Sequence, residues 1–438
     1  MRFPLRRTER AVAAAIALQL LVAVPTALTL GPGATGKQTA ASRAYATRKA
    51  EQARTEAVQA LLDRRAKAVL DRDKRAFLAD LDPARQRFVA AQSAAFDNLA
   101  AVPVAGWRYV LDPGTEQPHT PALDKAYGTW WAPDVSLRYS LTGYDETPTQ
   151  EDQALTFVAH DGKWFLASDS DFAASGDPTP RDLWDNGPVR VIRGRSCLVL
   201  SHPTGAVMAS LAQRTCDDAV PRVTAVWGTG WSRRVVLVVP DTAAELLQLV
   251  PDIGDVSNVA AVATAELVDQ SKGYHPVGNR VVVNPKSFRQ LGALGRRVVL
   301  THEVTHVASR AATGPRVPTW LVEGLADYVG FLQADLPLSL SALELRKDIR
   351  AGRVPRTLPP DGAYQGGRAD LAATYEQSWL AVSLLVRTYG QATVLRLYRD
   401  IGASDSPDAV AVAFAKDLHT DVPTFTKRWI TSLKRQLA

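Results

Sequence analysis

The stretch LTHEVTHVASR, Leu300 to Arg310, holds two of the seven histidines in a chain of 438 residues. Arg296 to Arg310 contains no Pro or Gly, and Val299, Leu300, Val304 and Val307 recur at helical spacing, which predicts a helix. On that helix His302 and His306 stand i,i+4, one turn apart on one face. Two imidazoles so placed can share one metal ion. Glu303 flanks the same face. It sits too near His302 to be a third ligand, yet it can reach a water beside the metal and act on it as a base.

A catalytic metal site needs a third protein ligand and an open position. The segment PTWLVEGLADYVG, Pro318 to Gly330, supplies the ligand. It reads as a second helix with Pro318 and Thr319 at its start. Positions 307 to 322, sixteen residues, separate His306 from Glu323, and AATGPRVP within them can turn the chain back. Asp327 lies i+4 from Glu323, where a carboxylate can accept the second N–H of a ligating histidine and fix its tautomer.

HEVTH followed by WLVEGLADY resembles the gluzincin zinc metallopeptidases, in particular their peptidase-MA-like domains. The resemblance is strong over 296–331 and loose across roughly 190–435. It implies one zinc ion per chain held by His302, His306 and Glu323, with Glu303 as general base and Asp327 behind the ligands. It also implies that the short strand NRVVVNP, Asn279 to Pro285, is an edge strand that pairs with extended substrate. No GxMEN-like segment precedes the helix, so the resemblance favours an endopeptidase over an aminopeptidase, acting on a peptide or protein substrate. Tyr375, near the start of the downstream helix ATYEQSWLAVSLLVRTYG, stands where related enzymes place an oxyanion donor; packing explains it equally well. Packing is the preferred reading for Tyr328, Tyr364 and His275.

The N-terminus places this site. Arg2, Arg6, Arg7 and Arg10 precede an uncharged run from Ala11 to Leu30. As a helix those 20 residues would rise about 30 Å, enough to cross a bilayer's hydrocarbon core. The arginines then remain cytoplasmic and the rest of the chain is exported. The length of the run favours an uncleaved anchor over a cleaved signal peptide, for which Ala34-Thr35-Gly36 would be the processing site. Residues 1–10 are thus a cytoplasmic tail, 11–30 a transmembrane anchor or signal peptide, and 31–48 a flexible tether rich in Gly, Ala, Ser and Thr. Cys197 and Cys216 both fall in the exported part, which suggests one disulfide. The net charge of +6 is scattered, without the aromatic interleaving of a nucleic-acid surface, and points to no nucleic-acid partner.

Between tether and metal motif the pattern changes. From Lys49 to Asp71, Val58, Leu61, Leu62, Ala66, Val69 and Leu70 mark an amphipathic helix, and RAFLADLD and PARQRFVAAQSAAFDNLA continue as two more. GWRYVLD, VSLRYSLTGYD, ALTFVAHD and KWFLASD read as strands, the last two joined by an Asp-Gly turn. Residues 49–172 resemble an NTF2-like cone domain through the long first helix, the phrase DRDKRAFLADLD and the pair LTFVAHDGKWFLASD. Trp130, Trp131 and Trp164 could line such a cone but are better explained as core and rim; His119 and His160 read as solvated or hydrogen-bonded. Residues 173–188, rich in Pro, Gly and Asp, read as a linker, and 189–438 as the metallopeptidase domain. The expected fold class is α+β, an NTF2-like domain followed by a mixed sheet and a mainly helical lobe. The rival reading is a non-catalytic, metal-binding envelope scaffold that recruits a partner through its NTF2-like domain.

Overall fold

The structure, a computed structural model, describes residues 40–250, 259–267 and 276–438. The expected anchor at 11–30 lies outside the described residues, as does His275. Among the described residues no helix is long and apolar enough to cross a membrane.

The N-terminal half begins with α1 (Ala40–Asp71), followed by α2 (Lys74–Ala79) and α3 (Gln86–Asn98). Val58, Leu61, Leu62, Ala66 and Val69 of α1 are buried, whereas Leu70 is exposed. One residue past Val69, Leu70 has rotated off the apolar stripe. Then come β1 (Val104–Glu116), α4 (Pro121–Tyr127), β2 (Trp130–Trp131), β3 (Pro133–Leu141), β4 (Thr149–Gln153), β5 (Thr156–His160) and β6 (Lys163–Ser168). They form two antiparallel sheets, β1-β3-β4 and β2-β5-β6. Asp161 and Gly162, at φ 50° and 76°, make the tight turn between β5 and β6, since both central positions of such a turn need positive φ.

Residues 173–188 carry α5 (Leu183–Asn186), whose Leu183 and Trp184 are buried. Thr179 is buried with them, whereas Ala173 to Gly176 and Asp185 to Asn186 are exposed. Beyond it lie β7 (Arg190–Arg193), β8 (Cys197–Ser201), α6 (Ala206–Trp227), β9 (Val235–Val239), α7 (Ala243–Leu249), β10 (Ala261–Leu267) and β11 (Pro276–Val283). The sheet order is β10-β11-β9-β8-β7, with parallel pairing at β8–β9 and β9–β11 and antiparallel pairing at both edges. Cys197 of β8 is disulfide-bonded to Cys216 of α6. The adjacent Asp217 accepts the N–H groups of Arg195, Ser196 and Cys197 at 2.8–3.0 Å, fixing the start of β8.

Both faces of this sheet are covered, which is why its strands read as unbroken apolar runs. Val235, Leu237 and Val239 face a core shared with α6, whereas Val236 and Val238 face the N-terminal half. Leu198, Leu200 and Val282 join them there. Across this junction Arg280 of β11 forks onto Asp145 at 2.6 and 2.8 Å, with both side chains largely buried.

The remainder is helical: α8 (Pro285–Gln290), α9 (Ala293–Ser309), α10 (Thr319–Phe331), α11 (Leu338–Ser341), α12 (Leu343–Arg350), α13 (Leu371–Tyr389), α14 (Gln391–Gly402), α15 (Ala409–Leu418) and α16 (Val422–Leu437). The whole is a mixed helix-and-sheet architecture. Helix α9 lies against α6 and the front of the sheet, and α10 is held between α9 and α13.

Candidate metal centre

Helix α9 buries Leu300, Val304 and Val307 in the main core. That rotation turns His302 and His306 toward α10. Helix α10 buries Leu321, Leu325 and Val329 and turns Glu323 and Asp327 back toward α9. Its first turn is anchored from outside: Asp361 accepts the Thr319 N–H at 3.0 Å, meeting a helix-end donor that has no partner within the helix. Gly324 lets α10 approach α13, for a Cβ there would lie 2.4 Å from the Ser378 carbonyl oxygen.

The donors converge. His302 Nε2 and His306 Nε2 are 2.9 Å apart, and Glu323 Oε2 lies 3.3 Å from each. Zinc bonds of about 2.0–2.2 Å to N and O donors in tetrahedral array require donor separations of about 3.3 Å. The spacing therefore fits one ion. Among the described residues this is the one group of three or more such donors, and no fourth joins it. A closed structural site would need the fourth.

The surroundings prepare the ligands. Asp327 Oδ1 sits 2.8 Å from His302 Nδ1, so a proton held there leaves the Nε2 lone pair for the metal. Burial disfavours the His302 cation, but Asp327 and then Glu323 outweigh it and hold His302 well above its ordinary value. Burial also works against the Glu323 anion; His306 and His302 overcome it and hold that carboxyl below its usual range.

Glu303 is 8% exposed, and burial raises its pKa. Its Oε2 accepts the Ala263 N–H of β10 at 2.7 Å, while Arg310, further along the same chain segment, donates to the Ala263 carbonyl at 2.9 Å. Ala263 pairs opposite Val281 of β11. It thus turns both backbone groups outward from the sheet edge, where they meet Glu303 and Arg310. This corrects the expectation for Asn279 to Pro285. Strand β11 is interior, flanked by β10 and β9, and the edge strand beside the site is β10. Its sequence AVATAEL is rich in helix formers, so propensity hides a strand that pairing with β11 imposes.

Tyr375 of α13 stands at the same place, its ring centroid 6.4 Å from that of His302. Glu323, then burial, raises its phenol well above the ordinary value, so it stays protonated as a donor. Among the described residues its hydroxyl has no hydrogen-bond partner. Tyr364 packs edge-on against Tyr375 at 5.5 Å and bonds Ser378 through its hydroxyl. Tyr328 is further round α10, its hydroxyl 3.4 Å from Gln391.

The other singled-out residues lie elsewhere. Trp130 and Trp131 are core residues at 3% and 1% exposure, in two different clusters, and Trp164 packs against the one that holds Trp131. His119 sits 3.0 Å from Asp124, and His160 3.5 Å from Asp82.

No family model matches the chain, and no curated protein matches it. Among solved structures it shows likeness to an M1 zinc metallopeptidase from Deinococcus radiodurans. One crystal structure of that protein, a mutant bound to a Tyr-Ser-Ala substrate, aligns at TM-score 0.29 and 15% identity, over 56% of this chain and 52% of that one. A second, of the mutant alone, aligns at TM-score 0.31 and 14% identity, over 63% and 58%. A third, of a two-domain M1 zinc metallopeptidase mutant bound to L-tryptophan, gives TM-score 0.31, 15% identity, 63% and 58%. The chain spans little more than half the length of these proteins, and superpositions this loose establish no shared activity.

Proposed function

We propose that this chain is a zinc-dependent peptidase in which His302, His306 and Glu323 hold the metal and Glu303 is the general base. One observation carries the reading: two i,i+4 pairs on facing helices bring three metal donors, a buried carboxylate and a ligand-orienting aspartate to one point. Bound zinc supplies Lewis acidity, activating water and polarising a scissile carbonyl. Glu303 takes the proton of the attacking water and returns it to the leaving amine. The Ala263 N–H holds Oε2, which orients the carboxylate for that transfer. Tyr375 donates its phenolic proton to the oxygen on which charge develops.

Cleavage within chains rather than at a free N-terminus is the preferred mode, since no amine-binding GxMEN-like segment precedes α9. The expected location is extracytoplasmic, tethered by residues 11–30. The Cys197–Cys216 disulfide supports it, because such bonds persist in oxidising compartments. An N-terminal NTF2-like domain at 49–172 and a catalytic domain at 189–438 complete the proposal.

The test is metal content together with cleavage of N-acetylated and free quenched peptides, for wild type, Glu303→Gln and His302→Ala. Glu303→Gln should keep one zinc per chain and lose about 10²–10⁴-fold in rate. His302→Ala should lose both. Cleavage of acetylated peptides marks an endopeptidase, and full activity in Glu303→Gln refutes the assignment.

A further inference from the structure

On the opposite face of the sheet from α9, an open cavity of about 410 Å³ lies at the junction between the two halves. It is walled by Tyr139, Glu151, Asp182 and Trp184 from the N-terminal half, and by Glu266 and Arg280 from β10 and β11. A smaller void of about 70 Å³ shares Glu151, Asp182 and Trp184 as walls and adds Trp107.

Three aromatic rings meet at this place. Trp107 stacks on Tyr139 at 5.5 Å and lies 6.2 Å from Trp184, which meets Tyr139 edge-on at 5.6 Å. Trp107 is 8% exposed, and its sequestered indole N–H has no hydrogen-bond partner. A buried donor left unmet in this way is costly unless something supplies an acceptor.

The charges are also incomplete. The Tyr139 hydroxyl lies 3.3 Å from Glu151 and 3.2 Å from Asp182, and its one proton can go to only one of these two acids. The nearby cations are committed. Arg280 forks onto Asp145, and Arg181 forks onto Asp169 at 2.7 and 3.0 Å. Arg65 lies over the Phe77 ring at 3.6 Å and donates to the Phe77 carbonyl. Burial, then Glu266, raises Glu151 to about 7; burial, then Glu151, raises Asp182 well above the carboxylate range. These acids do not form a metal-donor set; the convergent one among the described residues is at His302, His306 and Glu323. Carboxylates beside aromatic walls suit an organic cation instead.

We propose that a small organic ammonium ion binds where the junction cavity meets the smaller void, held between Glu151 and Asp182 beside Tyr139 and Trp184, with an acceptor on the ligand reaching through the void to the Trp107 N–H. This site is separate from the metal centre and does not depend on peptidase activity.

Calorimetric titration of the full chain, with EDTA present to take the metal donors out of play, tests it. The probes are choline, tetramethylammonium, cadaverine and dimethylbutanol, the last a neutral isostere of choline. At least one ammonium probe should bind well above dimethylbutanol, and Asp182→Asn and Glu151→Gln should each weaken it on the order of tenfold. Trp107→Phe should weaken choline, which carries a hydroxyl acceptor, more than tetramethylammonium, which carries none. Failure of every ammonium probe to outbind dimethylbutanol overturns the proposal, as does undiminished binding in the double variant Glu151→Gln/Asp182→Asn. Equal response of choline and tetramethylammonium to Trp107→Phe overturns the acceptor contact. Ligand-free Asp182→Asn should melt at or above wild type. A melt several degrees lower would show that the carboxylate already has its counter-charge, and that too overturns the site.

Discussion

The metal centre and the junction between the two halves are both clusters of buried and half-buried acids, and they settle their charges differently. At the metal centre each carboxylate has its own partner: Asp327 meets His302, Glu323 meets both imidazoles, and Glu303 takes the Ala263 N–H. At the junction only Asp145 is so served, by Arg280, while Glu151 and Asp182 share the Tyr139 hydroxyl. The first arrangement is preorganised, with its ligands aimed at one point and a proton on His302 that zinc must displace. The second leaves charge and a donor unmet. What separates the two clusters is how their acids are partnered: at the metal centre three donors converge on one point, whereas at the junction two acids meet one phenol beside aromatic rings.

The sharpest way to break this contrast is at the junction's one satisfied charge. Arg280→Met strands Asp145, whose side chain is 5% exposed. Leaving one member of a buried pair uncompensated costs about 3–5 kcal/mol. The double variant Arg280→Met/Asp145→Asn removes the charge yet keeps an oxygen for the Leu141 N–H, now bonded at 2.8 Å. It should recover most of that loss in urea unfolding. Equal destabilisation in single and double variants would mean that Arg280 acts by packing, and the contrast would lose its reference point.

A smaller effect is expected where the metal centre is braced from behind. Gly324→Ala drives a methyl toward the Ser378 carbonyl, 2.4 Å from the new Cβ, so α10 must move off α13. Overpacking of this kind costs about 1–3 kcal/mol. Because Glu323 is the preceding residue, zinc affinity should fall together with stability, whereas Arg280→Met should leave zinc affinity unchanged. Zinc binding by Gly324→Ala at wild-type affinity would show that the donors do not depend on this helix crossing.

How much of each region was legible follows from sequence distance. His302–His306 and Glu323–Asp327 are both i,i+4 pairs on helices with clear apolar stripes, so local periodicity alone puts them on usable faces. That α9 and α10 then face each other needed only a short connection. Strand β10 was hidden because Ala and Glu dominate AVATAEL, and with it the grip of Glu303 and Arg310 on Ala263. Nothing local marks Gly324, since the reason for it lies in α13, more than fifty positions on. The junction was illegible. Trp107, Tyr139, Glu151, Asp182, Glu266 and Arg280 come from distant strands and loops, and no spacing rule joins them. Trp130 and Trp131 are core, as preferred from the sequence, while Trp107 and Trp184, which no local pattern marks, line the smaller void.

The finest distinction concerns whether preorganisation at the metal centre is energetic or merely geometric. Asp327→Asn keeps the size of the side chain and an oxygen able to accept from His302 Nδ1 at the present 2.8 Å, but removes its charge. If the carboxylate matters through charge, zinc affinity should fall toward the low end of the roughly 10–100-fold loss seen when such partners are removed. His302 is held well above its ordinary value with Asp327 as the largest favourable influence, so the variant's imidazole should release its proton at lower pH. The sign is definite: without metal, His302 in Asp327→Asn is neutral over part of the pH range where wild type is protonated, so less proton release accompanies zinc uptake there. Calorimetry of zinc binding in two buffers of different ionisation enthalpy reads that proton count directly. An unchanged count with unchanged affinity would reduce Asp327 to a geometric prop, and the two acid clusters would then differ in neighbours but not in how they use charge.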